Sequence, residues 1–302
     1  MSNIEDLSFT TLHPRCLDLR EMYIAVDGQC MPCCDLSIGS GKPWKLFFNE
    51  EWHLNHNTMD NILTSIRNFS RKVEDTKTSP IKKCSKTCNN PWVNSRNYFH
   101  LELSTRCTLQ CPKCPRTAWS SESPTTVFEK TDMEFDHIET IINSLPRKWR
   151  LFLQGSLGDA VFHPRIFDII TLADNKNKQF EMTTASPARS LKWWEEFYNC
   201  YSNPTSEVRF SVDGLSDTAH IYRVGQDFNK VWEAMKLGAK KGKKISWSFI
   251  PFSHNEHQIN TARKMAQDNG INFQVTPSNR WDVDDPFKPK NPQLSANYDR
   301  GY

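Results

Sequence analysis

Cys107, Cys111 and Cys114 fall in one short run, Cys-Thr-Leu-Gln-Cys-Pro-Lys-Cys, at C-x3-C-x2-C spacing. Thiolates are soft ligands suited to iron–sulfur clusters, zinc or copper(I). A cubane cluster is usually held by four cysteines, so three on one loop leave one iron without a protein ligand. An open position on a metal is where an outside molecule coordinates. Zinc motifs, in contrast, usually show two Cys/His pairs, and this triple has no paired partner close by.

The triple follows a strand-like run, Tyr98-Phe-His-Leu-Glu-Leu-Ser104, and precedes Pro115-Arg116 and a Ser/Thr-rich loop. From Tyr98 onward, strand-like and helix-like segments alternate. Strands are expected at 99–104, 149–154, 178–184, 208–212, 245–251 and 271–275. The helices between them carry end signals. Thr131-Asp-Met-Glu134 reads as a capping box, and Pro164 suits a first helical turn. Ser190 is placed to cap 191–201. Gly242 and Gly270 are placed to stop 227–241 and 255–268. Alternation of this kind implies parallel strands joined by right-handed crossovers, with ligands collecting at the strands' carboxyl ends. The expected fold class is α/β, a partial (β/α)6 TIM-like barrel over 97–280, followed by a polar tail over 281–302.

Residues 1–96 have a different character. Met22–Val26, Asp27-Gly28 and Gln29–Met31 read as a β-hairpin with a two-residue turn. A helix is expected from about Thr58 to Arg71, with Met59, Ile62, Leu63 and Ile66 on one face. Six of the ten cysteines lie here: Cys16, Cys30, Cys33, Cys34, Cys84 and Cys88. Packing alone explains so many poorly. A small N-terminal cysteine-rich hairpin/helix module holding a metal is expected, zinc included, since a thiolate set does not name its metal.

Composition bounds the rest. The chain has 302 residues, 37% hydrophobic, with ten Trp and eighteen Phe, which is enough for a core. A net charge of +3 gives little reason to expect nucleic acid, and the basic residues around Lys82 read first as a solvated face. Met1–Leu7 shows no signal-peptide core and no run reaches membrane-span length, so a cytoplasmic chain is expected. In that compartment clustered cysteines hold metal or do redox work more often than they form disulfides.

The stretch Leu101-Glu-Leu-Ser-Thr-Arg-Cys107 through Cys114-Pro-Arg116 resembles the cluster loop of radical S-adenosylmethionine (SAM) enzymes. The resemblance implies a 4Fe–4S cluster on Cys107, Cys111 and Cys114, whose open iron binds SAM and whose electron cleaves it to a 5′-deoxyadenosyl radical. Lys113 departs from the family pattern, in which that position is aromatic. Gly158-Asp159 resembles the family's Gly-Glu-Pro motif, which receives the ammonium of SAM. Phe210-Ser-Val-Asp-Gly214 with Arg223 resembles the Ser-Ile-Asp-Gly … Arg-Gly pattern, implying that Ser211 and Arg223 contact the SAM carboxylate. Cys16, Gly28, Cys33, Trp52 and Cys84-x3-Cys88 together resemble the SPASM or twitch domain. That would place a second 4Fe–4S cluster on Cys16, Cys33, Cys84 and Cys88, with Cys34 as a competing ligand, although this module usually follows the barrel. The resemblance implies an external electron donor such as flavodoxin or ferredoxin and a peptide or protein substrate. The alternatives are a nucleoside, tRNA or small metabolite as substrate, or a non-catalytic zinc-binding interaction protein.

Overall fold

The computed structural model describes residues 7–8, 16, 21–32, 49–79, 97–114, 116–117, 131–146, 148–155, 157–185, 189–278, 281 and 284–296. Eight strands form one open sheet, and the chain divides into two compact units.

The first unit takes in 1–101 and 133–152. Its hairpin joins β1 (Glu21–Ile24) to β2 (Cys30–Met31), with Tyr23 opposite Met31 and Ile24 opposite Cys30. Gly28 makes the turn at φ +96°, a conformation that costs glycine nothing. β1 lies parallel to β3 (Tyr98–Leu101), from Glu21 against Tyr98 to Ile24 against Leu101, so it extends the sheet. Helix α1 (Met59–Thr76) runs past the expected end at Arg71, because Ser70 and Val73 continue its buried stripe from Ile62 and Ile66. Thr58 caps it by accepting from Asn61 N, and Trp52 is buried with its indole N–H on Ser65 Oγ at 3.0 Å. Helix α2 (Phe135–Ser144) and the start of β4 (Arg150–Gln154) complete this unit.

The second unit, 102–132 and 153–299, is built on the βα repeat. After β4 come α3 (Ile166–Asn175), β5 (Phe180–Thr184), α4 (Leu191–Asn199) and β6 (Glu207–Ser211). Then follow α5 (Phe228–Lys240), β7 (Lys244–Phe249), α6 (Ile259–Asp268) and β8 (Asn272–Val275). The sheet order is β8-β7-β6-β5-β4-β3-β1-β2. β5 pairs parallel with β6, β6 with β7 and β7 with β8. Phe180, Met182, Val208, Phe210, Ile245, Trp247 and Phe249 alternate along their strands in register and line one buried apolar face. The intervening residues put charge on the opposite face, where Arg209 pairs with Glu181 at 3.0 Å and Glu207 at 3.1 Å.

Ser190 caps α4 as its sequence position suggests, accepting from Trp193 N, and Asp227, expected inside the helix, caps α5 by accepting from Lys230 N. Pro164 instead lies outside α3, whose N-cap is Arg165. Lys244 pairs with Glu207 at 2.7 Å. Against the sheet, α4 packs an aromatic group in which the fully buried Trp194 lies 5.0 Å from Phe210. Trp194→Ala is expected to cost about 3–5 kcal/mol in a urea melt, because a cavity remains where the ring was. Among the described residues no helix is long and apolar enough to cross a membrane.

Candidate metal centre

The cysteine loop is anchored at its base before any cysteine is reached. The first strand ends at Leu101, three residues before the expected Ser104, because the chain there turns to bond non-locally. Glu102, 1% exposed, accepts from Leu157 N at 3.1 Å. Ser104 donates to Asp132 Oδ1 at 2.6 Å, and Arg106 pairs with Asp132 Oδ2 at 2.9 Å. Thr105 and Thr131 exchange backbone and side-chain hydrogen bonds at 3.0–3.2 Å. Thr131 therefore braces the loop and does not complete a capping box, and α2 starts after Glu134 with no side-chain cap.

Beyond this base the three cysteines gather on one apolar cluster. Cys111 is buried with Leu109, Ala185, Tyr222 and Phe252, and the half-buried Cys107 and Cys114 pack against the same group. Cys114 N donates to Cys111 O at 3.1 Å in a turn through Pro112-Lys113. Burial, then the negative charge of Asp159, pushes the Cys107 thiol up to about 11, opposed by a hydrogen bond from Leu109 N–H. Burial raises the Cys111 thiol as well, against the pull of the Arg223 cation. Lys113 turns to Asp285 at 2.5 Å, an acid with a fully buried side chain. Trp281 and Phe287 of the same C-terminal segment pack on the cysteine cluster.

Two more loops close the site. After β4, Asp159 N donates to Arg106 O at 2.9 Å, tying this loop to the cysteine loop. A Cβ on Gly158 would stand 2.1 Å from Ser104 O and 2.7 Å from Thr105 C, so only glycine lets the two backbones approach. Asp159 is buried, with its carboxylate spent internally. Oδ1 accepts from Val161 N at 3.2 Å, and Oδ2 accepts from Thr184 Oγ1 and Ala185 N at 2.9 Å. Burial raises its pKa, against those hydrogen bonds.

After β6 comes Ser211-Val-Asp-Gly214. Asp213, fully buried, accepts from Arg223 Nε at 2.6 Å and from Ile250 N at 2.8 Å. Burial works against the Arg223 cation, yet Asp213 and Cys111 hold it firmly protonated. Gln226 spans the ends of β5 and β6, donating to Ala185 O at 2.7 Å and Ser211 O at 3.0 Å.

Of the residues singled out by sequence, the second unit therefore brings together Cys107, Cys111, Cys114, Gly158, Asp159, Ser211 and Arg223 at the carboxyl ends of its strands. Asp213, Gln226 and Asp285 escaped the sequence reading. Asp213 lies inside the Ser-Val-Asp-Gly motif and was open to notice, whereas nothing local marks Gln226 or Asp285. Cys33, Cys34, Cys84, Cys88 and Lys82 lie outside the described residues. Cys16 is half-buried, and Cys30 packs in the hairpin with its thiol fully buried. His254 stacks on Phe252 at 5.3 Å, and burial lowers its pKa. Among the described residues no group of three His, Cys, Asp or Glu side chains is placed to hold a metal ion.

No family model matches the chain. A tungsten-containing aldehyde ferredoxin oxidoreductase cofactor-modifying protein from Pyrococcus furiosus is 22% identical over 130 residues, which is 42% of this chain and 34% of that protein. Among solved structures, Streptococcus suis SuiB bound to precursor peptide SuiA aligns with a TM-score of 0.50 at 16% identity, covering 78% of this chain and 47% of that one. SuiB bound to S-adenosylmethionine aligns at 0.49 and 15%, covering 78% and 51%. The chain thus spans about half the length of the solved structures it matches and a third of the curated relative. With its open, mostly parallel sheet, the chain has the partial-barrel fold of the radical SAM enzymes.

Proposed function

We propose that the chain is a radical SAM enzyme whose 4Fe–4S cluster is held by Cys107, Cys111 and Cys114. The observation that carries this reading is that Cys107 and Cys114 pack against the one apolar cluster that contains Cys111. Three soft thiol donors on one loop are what such a cluster takes from a protein. When bound, the cluster and SAM supply an electron transfer that splits the sulfonium and leaves a 5′-deoxyadenosyl radical, able to abstract hydrogen from a substrate.

The chain's own residues bind and orient. Gly158 presents bare backbone beside the cysteine loop. Asp159, engaged with Val161, Thr184 and Ala185, fixes the turn that receives the methionine ammonium and adds negative charge behind it. Ser211 and the free edge of the Arg223 fork receive the methionine carboxylate, a geometry lysine does not copy. Tyr222, Phe252, Trp281 and Phe287 wall the site with apolar surface, and water exclusion strengthens these polar contacts.

The leading substrate class is a peptide or protein, supported by the fold shared with the peptide-bound SuiB structure. The name of the curated match keeps a small molecule as the second reading. Residues 1–96 would form an auxiliary module with a second cluster on Cys16, Cys33, Cys84 and Cys88, with Cys34 competing. Residues 97–280 would form the barrel and 281–302 the tail. A flavodoxin or ferredoxin would deliver the electron in the cytoplasm. Replacing Cys84 and Cys88 together is expected to lower bound iron by about half, read by iron assay, because one of two clusters is lost. Unchanged iron would remove the auxiliary cluster. The enzyme reading is tested by reducing the anaerobically reconstituted protein with SAM. Formation of 5′-deoxyadenosine is expected, and its absence from iron-loaded protein would contradict the reading.

A further inference from the structure

Residues 284–296 are held to the rest of the second unit by two different kinds of tie. Toward the loop after β7 the ties run through the segment's own backbone. Phe287 O accepts from Ser253 N at 3.1 Å, Pro286 O accepts from Ser253 Oγ at 2.5 Å, and Asn291 N donates to Glu256 Oε2 at 3.1 Å. The far end is pinned as well, with Ala296 N donating to Ser278 O at 3.0 Å. Toward the cysteine loop the tie is a side-chain ion pair, Lys113 Nζ to Asp285 Oδ2 at 2.5 Å. Asp285 Oδ1 accepts from Phe287 N at 3.0 Å and its carbonyl from Lys288 N at 3.0 Å, so the carboxylate and the Phe287 ring belong to one turn. Asp284 enters that turn at φ +61°, a left-handed conformation unfavourable for a residue with a Cβ. Phe287 in turn packs on the apolar cluster that contains Cys111, its ring centroid 5.7 Å from Tyr222 and 5.8 Å from Phe252.

We propose that residues 284–296 form a releasable cover over the cysteine site, hinged on the β7 loop at Ser253 and Glu256 and latched by Lys113 and Asp285. The Asp285 side chain is fully enclosed, whereas that of Lys113 is 25% exposed. A buried carboxylate stripped of its cation is strongly disfavoured, so the pair parts only when Asp285 moves out to water. Phe287 then leaves with it, because the two share a turn, and the apolar cluster beneath is uncovered. Open, the cover admits a ligand as large as a nucleoside sulfonium. Shut, it keeps water from the thiols and from whatever they hold, which strengthens polar contacts inside. The identity of that ligand rests on the radical SAM reading, while the cover itself rests on the geometry of this segment.

The test uses the full chain, reduced and without added metal, and compares it with Asp285→Asn. Alkylation by iodoacetamide, located by mass spectrometry, reads access to the thiols, and deuterium uptake reads the segment. Labelling of Cys107, Cys111 and Cys114 relative to Cys200 should rise about tenfold, the scale set by losing a hydrogen bond between charged groups. Uptake across 284–296 should rise with it. Unchanged labelling overturns the proposal. So does faster labelling with unchanged uptake, since removing a negative charge near the thiols would then account for it. Should Asp285→Asn fail to fold, Lys113→Gln decides, because it strands Asp285 and should raise uptake across 284–296, and no rise overturns the proposal. Failure of the radical SAM reading looks different: reconstituted parent protein would lack iron and sulfide, while labelling and uptake would still report on the cover.

Discussion

Cys111→Ala is expected to abolish 5′-deoxyadenosine formation and to strip the loop of its cluster, with the fold intact. Cys111 is the middle thiol of the triple and the most buried of the three. With one thiolate gone, two half-buried sulfurs remain, too few to hold a cluster usually bound by four. The fold should survive, because Arg223 keeps Asp213 as its partner and the lost group is one small buried sulfur. The result is read as iron content, 5′-deoxyadenosine yield and an unchanged far-ultraviolet circular dichroism spectrum. Retained product would refute the cluster assignment, whereas a lost spectrum would mean only that the loop also supports the fold.

Gly158→Ala is expected to cut SAM cleavage about 100-fold while the cysteines still load iron. The new methyl would lie 2.1 Å from Ser104 O and 2.8 Å from Ser104 C, both backbone atoms with no rotamer in which to retreat. The two loops must therefore part. Over-packing of this kind costs about 1–3 kcal/mol. A displacement of about 1 Å at a reacting centre costs about 100-fold in rate. The hydrogen bond from Asp159 N to Arg106 O, the tie between these loops, would be lost with it. A melting-temperature drop paired with a normal iron content distinguishes this outcome from loss of the cluster. An unchanged rate would show that this turn does not face SAM.

What the sequence disclosed divides by range. Ser190 was readable as a cap because a cap's partner lies three residues on, inside the same helix. Thr131-Asp-Met-Glu134 satisfied the same pattern, yet Thr105 and Ser104, more than twenty residues earlier, claimed Thr131 and Asp132. The three cysteines were legible as a group because thiols on one loop leave their spacing in the chain. Asp213 was visible as a letter of a motif, but its task depends on Ile250 and Asn255, which only β7 brings near. Lys113 read as a departure from the family pattern. Its buried partner Asp285 comes from a segment that composition marked only as a polar tail. Helix α1 outran its expected end for a simpler reason: a small polar Ser70 hid the continuation of an apolar stripe, with its hydroxyl returned to Ile66 O.

The central claim is that three thiols carry a cluster with one iron open to SAM. Electron paramagnetic resonance of the reduced, anaerobically prepared protein, recorded before and after adding SAM, reads that open site directly. A cluster signal that changes shape when SAM is added is the predicted result. A colourless, zinc-containing protein, or a cluster signal indifferent to SAM, would contradict it.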